Sequence, residues 1–63
     1  MTTWRDRLAA ERSELCDRLG KLNVFLADDA NLEKLSNKQV ALLIAQSHAM
    51  TNYLDILDRR LVI

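Results

Sequence analysis

The residues best suited to bind a charged ligand are four arginines and one tyrosine. A guanidinium group donates paired hydrogen bonds to a phosphate or carboxylate, and a phenol combines an apolar ring with a polar tip. A structural role is also open for the arginines at positions 5 and 12, whose stems can cover apolar surface while the charge reaches water or Glu11. The candidate ligand-binding residues are Arg5, Arg12, Tyr53, Arg59 and Arg60.

Residue types that catalysis or metal binding requires occur without the necessary neighbours. His48 is followed by Asn52 and Asp55 on successive helical turns, but no nucleophile or further ligand accompanies it. Cys16 has no base near it in the pattern. The acidic cluster at 28–33 lacks the alternation and closing glutamate of a calcium loop. We therefore expect no catalytic residue, metal site or cofactor, and hence no enzyme.

Two long helices must position these side chains, because proline is absent and Gly20 is the one glycine. We predict an all-α antiparallel two-helix hairpin in a single domain, 1–63. Helix 1 covers about 3–27, a connector with a short turn covers 28–35, and helix 2 covers about 37–62. Thr3 with Asp6 and Ser36 with Gln39 match the capping box at the two helix starts. Gly20 is interpreted as a point of close helix approach.

Apolar residues in both helices recur at spacings of three and four, which is typical of helices packed lengthwise. In helix 1 the pattern also includes Arg5 and Arg12, and in helix 2 it includes the small polar Ser47. We call these positions the seam. The apolar seam residues are Leu8, Leu15, Leu19, Leu22 and Leu26 in helix 1 and Val40, Leu43, Met50, Leu54, Leu57 and Leu61 in helix 2.

Helix 2 carries a second apolar stripe roughly 110° around its axis from the seam, at about 100° per residue. Helix 1 can cover one stripe, so the second requires a partner, and another copy is the simplest one. With 63 residues and one cysteine, the chain is near the lower size limit for folding alone and cannot form an internal disulfide. We predict a homo-oligomeric bundle, at least dimeric or a higher closed ring. Its interface residues are Leu42, Ala49, Tyr53, Ile56 and Ile63.

The charge balance and hydropathy pattern restrict the partners. Nine basic and nine acidic residues give zero net charge, so nonspecific nucleic-acid binding is not expected. No stretch approaches the roughly 20 apolar residues of a membrane span, and the first residues do not resemble a signal peptide. The lone cysteine is compatible with a reducing compartment. We expect a cytoplasmic protein without membrane contact.

The chain resembles a family of very short phage- and prophage-encoded helical proteins, one of them first catalogued from a crAss-like phage. The resemblance implies a phage source and a hairpin fold, without an assigned chemistry. It is carried by Arg7-Leu8, Glu11, Glu14-Leu15, Arg18-Leu19, Lys21-Leu22 and Phe25-Leu26, and by Leu42-Leu43, Gln46, Ala49-Met50, Tyr53, Ile56-Leu57 and Arg60.

Two functional hypotheses follow for such a chain. The first is a non-enzymatic phage accessory protein that neutralises a host factor in the host cytoplasm, in the form of a sponge that holds a nucleotide immune signal at subunit interfaces. The phage and counter-defence parts come by analogy with other small phage genes. The second is a protein–protein adaptor or structural module that docks a host or virion protein through the second stripe.

Overall fold

Two long helices and a short one account for most of the chain in a computed structural model, which describes residues 3–63. In order, α1 is Trp4–Leu26, α2 is Asp29–Glu33 and α3 is Asn37–Leu61. The residues described contain no strand. α1 and α3 pack along their lengths as an antiparallel hairpin, and α2 lies in the connector. The chain is thus an all-α helical hairpin.

The helix starts follow from local hydrogen bonding. Thr3 caps α1 with a complete capping box, since its hydroxyl accepts from the backbone NH of Asp6 and its own NH donates to the Asp6 carboxylate. At α3, the Ser36 hydroxyl accepts from the backbone NH of Gln39 at 3.2 Å. The reciprocal hydrogen bond, in which the Ser36 backbone NH would donate to the Gln39 side-chain oxygen, does not form among the residues described. The predicted capping box is therefore only half formed there.

The seam is where the two helices meet. Leu8, Leu15, Leu19 and Leu57 are buried, and Leu57 is the most enclosed of them. The other predicted apolar seam positions are half-buried, and so is Arg12. Arg5, at the end of the hairpin, is exposed instead. The 3-and-4 spacing therefore identifies the face of each helix that packs against the other.

One polar pair within the seam relates the two helices along their lengths. Ser47 is buried, and its hydroxyl donates to the Asn23 side-chain oxygen at 2.8 Å. A buried hydroxyl without a partner would cost about 1–3 kcal/mol, so Asn23 makes a polar residue acceptable at this position. Pairing of residues 23 and 47 also defines the antiparallel register of the hairpin.

The interpretation of Gly20 as a close approach between helices is wrong within this chain. A Cβ atom built on Gly20 would meet nothing within 4 Å, and its φ is not positive. The residue lies on the outer side of α1, away from α3. The seam passes beside Gly20, through the buried Leu19, which is why the apolar pattern continues uninterrupted along this part of α1.

The hairpin is long and thin. Its principal extents are 46 × 17 × 13 Å and its radius of gyration is 14.6 Å. A compact domain of this length has a radius of gyration near ~10.6 Å by the usual size scaling. Two helices side by side have one shared face, so most of the remaining surface of each helix stays in contact with solvent.

Candidate binding surface on the outer face of α3

The predicted second stripe lies on the outside of the hairpin. Leu42 is 55% exposed, Tyr53 42%, Ile56 53% and Ile63 89%, and Ala49 is also exposed. The four residues within α3 share one side of the helix, which turns away from the seam, and Ile63 follows two residues after the helix ends at Leu61. We call this set the α3 stripe. It is an apolar surface that the chain itself does not cover.

Tyr53 connects the α3 stripe to α1. Its hydroxyl donates a hydrogen bond to the Glu11 carboxylate. That bond, followed by partial burial and the negative charge of Glu11, raises the pKa of Tyr53 above its ordinary value of 10.0. The positive charge of Arg60 acts on Tyr53 in the opposite direction, because Arg60 lies near the phenol on the same side of α3.

Arg12 forms the best-defined ion pair between the helices. Its Nε lies 2.7 Å from Asp58 Oδ1, and both side chains are about half exposed. The hydrogen bond to Asp58, and then the charge of Asp58, raise the pKa of Arg12 above its ordinary value. The suggested partner Glu11 binds Tyr53 instead, and Arg12 pairs with Asp58 while its side chain stays 40% exposed to solvent. Exposed pairs of this kind contribute about 0–1 kcal/mol to stability.

The other three candidate arginines lie toward the same end of the hairpin and have different partners. Arg5 donates to the backbone carbonyl of Ile63 at 3.3 Å, and its guanidinium lies 5.4 Å from the centre of the Trp4 ring. Arg59 pairs with Asp55 one turn earlier at 3.0 Å. Arg60 forms no ion pair within residues 3–63. Arg5 forms no ion pair there either, but among the described residues Arg60 also lacks a hydrogen-bond partner, so its guanidinium is the most available of the candidates.

The remaining candidates do not converge on a reactive site. His48 and Cys16 are exposed, and they lie on different helices. Cys16 forms part of a shallow concavity on the outer side of α1, with Ser13, Gly20 and Val24. Among the residues described, no three histidine, cysteine, aspartate or glutamate side chains come close enough together to hold a metal ion.

Sequence reasoning missed Asp58 as the partner of Arg12 and Glu11 as the partner of Tyr53. The signal that locates Asp58 is the antiparallel register, because residues 12 and 58 are related by the same register as residues 23 and 47. Once the Asn23–Ser47 pair is known, Arg12 and Asp58 are expected to face each other. Glu11 and Tyr53 lie somewhat out of that register and are brought together by the reach of the tyrosine side chain.

The fold and surface together define a class of protein: a small helical hairpin with an uncovered apolar face that contains a tyrosine and an arginine. Comparison with known families then gives a specific result. The matching family is Sequestin, over residues 2–63, so the chain belongs to the Sequestin family. No curated protein matches the chain significantly. No solved structure does so either. In the described residues, no helix is long and apolar enough to cross a membrane.

Proposed function

We propose that this chain is a non-enzymatic sequestering protein that self-associates through the α3 stripe and holds a small anionic ligand at the subunit interfaces. A nucleotide immune signal is the leading ligand class, and a phage-encoded role in counter-defence within the host cytoplasm is part of the proposal. The family name is compatible with a sequestering role. The finer assignment depends on the chemistry of the α3 stripe.

The observation that carries the proposal is that aromatic, cationic and apolar groups share one uncovered surface. Tyr53 and Arg60 are seven residues apart on α3, so they lie on the same side of the helix, with Ile56 between them. A nucleotide has an aromatic base and an anionic phosphate. The Tyr53 ring suits the base, and the Arg60 guanidinium suits the phosphate.

Glu11 determines how such a ligand is oriented. Its carboxylate accepts the Tyr53 hydroxyl hydrogen bond and disfavours a phosphate at that position. The same carboxylate oxygens can accept hydrogen bonds from the amino group of a base. The phosphate is therefore expected toward Arg60 and the base toward Tyr53 and Glu11.

The other candidate arginines already have contacts within the chain, with which a ligand must compete. Arg12 is paired with Asp58, and Arg59 with Asp55, so a phosphate must compete with a carboxylate for each of them. Arg5 is held only by a carbonyl and the Trp4 ring. We expect Arg60→Ala to weaken ligand binding most and Arg12→Ala to weaken it less, with the oligomer intact in both variants.

Isothermal titration of the purified protein against a panel of cyclic nucleotides tests the proposal. The expected result is saturable heat for at least one member, with a Kd at least tenfold weaker in Arg60→Ala. Arg18→Ala is the matched control, because it removes the same charge from the middle of α1, away from the α3 stripe, and should leave the Kd unchanged. Absence of heat for every member of the panel removes the nucleotide proposal.

A protein–protein adaptor is the second candidate, favoured by the exposure of Tyr53 and Ile56 in the single chain. A host or virion protein that presents an apolar helix would cover the same surface. Such a partner must compete with self-association, so a stoichiometric complex that replaces the oligomer would support this candidate over sequestration. Nucleic acid is the least favoured partner because of the zero net charge, and a salt-sensitive gel shift would reveal it.

A further inference from the structure

The α3 stripe contains an evenly spaced line of apolar residues. Leu42, Ala49, Ile56 and Ile63 are each seven residues apart and all exposed. At 1.5 Å per residue, the part of this line within α3, from Leu42 to Ile56, is about 21 Å long, and Ile63 follows beyond the end of the helix at Leu61. Apolar residues that recur every seven residues along one side of a helix form the pattern that packs against a second helix. We propose that the α3 stripe binds the same stripe of a second copy, with the two α3 helices antiparallel.

Surface area favours a second copy as the occupant. The chain exposes 4983 Å². A compact monomer of its 7.2 kDa mass would expose about 4,100 Å² by the size scaling of folded proteins. The excess, about 900 Å², is close to the roughly 800 Å² that each partner buries in a standard-size interface. One interface of standard size along the α3 stripe would therefore bury an area similar to this excess.

The sizes of the stripe residues favour the antiparallel arrangement. With the two-fold axis passing between Asn52 and Tyr53, Ala49 faces the partner's Ile56, and Leu42 faces the partner's Ile63. A small residue then meets a large one on each side of the axis, which gives layers of similar volume. A parallel pair would place Ala49 against the partner's Ala49 and leave that layer underfilled.

Charge favours the same arrangement. A parallel pair would bring Arg60 of both copies together at one end, with Arg59 of each copy beside it held by its ion pair with Asp55. In the antiparallel pair the two clusters lie at opposite ends, and each faces uncharged residues near Ala45 and Gln46 of the other copy. The helix dipoles also oppose each other favourably. The inference rests on the self-association proposed above and specifies its geometry.

Disulfide formation between introduced cysteines tests the register, in a Cys16→Ser background. Ala49→Cys and Ile56→Cys chains, mixed and oxidised, are expected to form the mixed disulfide predominantly, identified by mass spectrometry. Ala49→Cys alone is expected to form almost none, because the two cysteines would lie about 10 Å apart along the axis. Thr51→Cys, which is exposed but turned away from the stripe, is the matched control and should stay reduced.

The possible results distinguish failure of the antiparallel geometry from failure of the proposed function. A predominant disulfide in Ala49→Cys alone indicates a parallel pair and overturns the inference. An oligomer by mass without any disulfide from the stripe positions also overturns it, because another surface must then form the interface. The proposed self-association through the α3 stripe then fails as well, whereas ligand binding at Tyr53 and Arg60 is tested separately by the titration. A monomeric mass for the Cys16→Ser protein and the unmodified chain overturns both the inference and the self-association in the proposed function.

Discussion

The two sides of α3 are both apolar, yet they have opposite environments. Leu57 is fully buried in the seam, whereas the preceding residue, Ile56, is 53% exposed. One residue corresponds to about 100° around a helix, which is enough to move a side chain from the seam to the outside. Hydrophobicity alone therefore does not bury a residue in a hairpin. A second helix covers one face, and any other apolar face needs a partner beyond the chain.

The strongest test of this comparison shortens one side chain on each side of α3 in turn. Leu57→Ala should lower the free energy of unfolding by about 2–5 kcal/mol, because it leaves a cavity in the seam. Urea unfolding followed by circular dichroism measures the loss at several protein concentrations. Ile56→Ala is the control. Its loss of unfolding free energy should be smaller, and it should increase with protein concentration if the α3 stripe is an interface. Equal losses of unfolding free energy for the two variants at every protein concentration would contradict the distinction between the seam and the α3 stripe.

A charge placed on each side of α3 sharpens the comparison. Ile56→Glu should reduce the mass from that of an oligomer to the 7.2 kDa of one chain, because burial of a charge between two apolar stripes is costly even with Arg60 one helical turn away. Light scattering after size exclusion measures the mass, and circular dichroism shows whether the helices persist. Ile44→Glu is the matched control, since Ile44 is also exposed but lies on the other side of α3. An unchanged mass for Ile56→Glu contradicts the proposed interface.

The outer side of α1 provides a smaller test. Gly20→Ala should raise the stability of the hairpin by about 1 kcal/mol, because alanine favours the helix and its Cβ meets nothing within 4 Å. Thermal unfolding of the variant measures the change. A decrease in oligomer stability would instead show that a second copy packs closely against α1, and the interface would then extend beyond the α3 stripe.

The smallest expected effect is a change in the titration of Tyr53. In the folded chain its pKa is raised, chiefly by the hydrogen bond to Glu11, so Glu11→Gln should move the midpoint back toward 10.0. Ultraviolet absorbance of the single tyrosine measures this midpoint, and Glu14→Gln serves as the control. Because the folded pKa is the higher one, the contribution of Tyr53 to stability is present below pH 10 and is lost as the pH rises through the folded value. A midpoint that does not respond to Glu11→Gln would refute the contact.

The helices and the seam could be predicted because their determinants are local. The hydroxyl caps at Thr3 and Ser36 each act within one helix, and so does the seven-residue spacing of Leu8 and Leu15 in α1. Contacts between the helices could not be predicted in the same way. The pairing of Arg12 with Asp58 depends on the antiparallel register, which the length of the connector does not determine.

Gly20 and the α3 stripe illustrate the remaining limit. The sequence pattern shows which residues lie on a face, but it does not show which surface covers that face. The prediction of the seam is confirmed, because α1 and α3 lie along each other in the hairpin and their apolar faces meet. No such constraint applies to Gly20, and no helix among the described residues packs closely against it. The α3 stripe is uncovered for the same reason, so its occupant is a matter for experiment.

The measurement that tests the central claim most directly is the mass of the unmodified chain in solution, combined with the concentration dependence of its unfolding. Sedimentation equilibrium at micromolar concentration should give a multiple of 7.2 kDa, and the thermal midpoint should rise with protein concentration. A folded monomer that unfolds cooperatively at the same temperature at every concentration would contradict the claim.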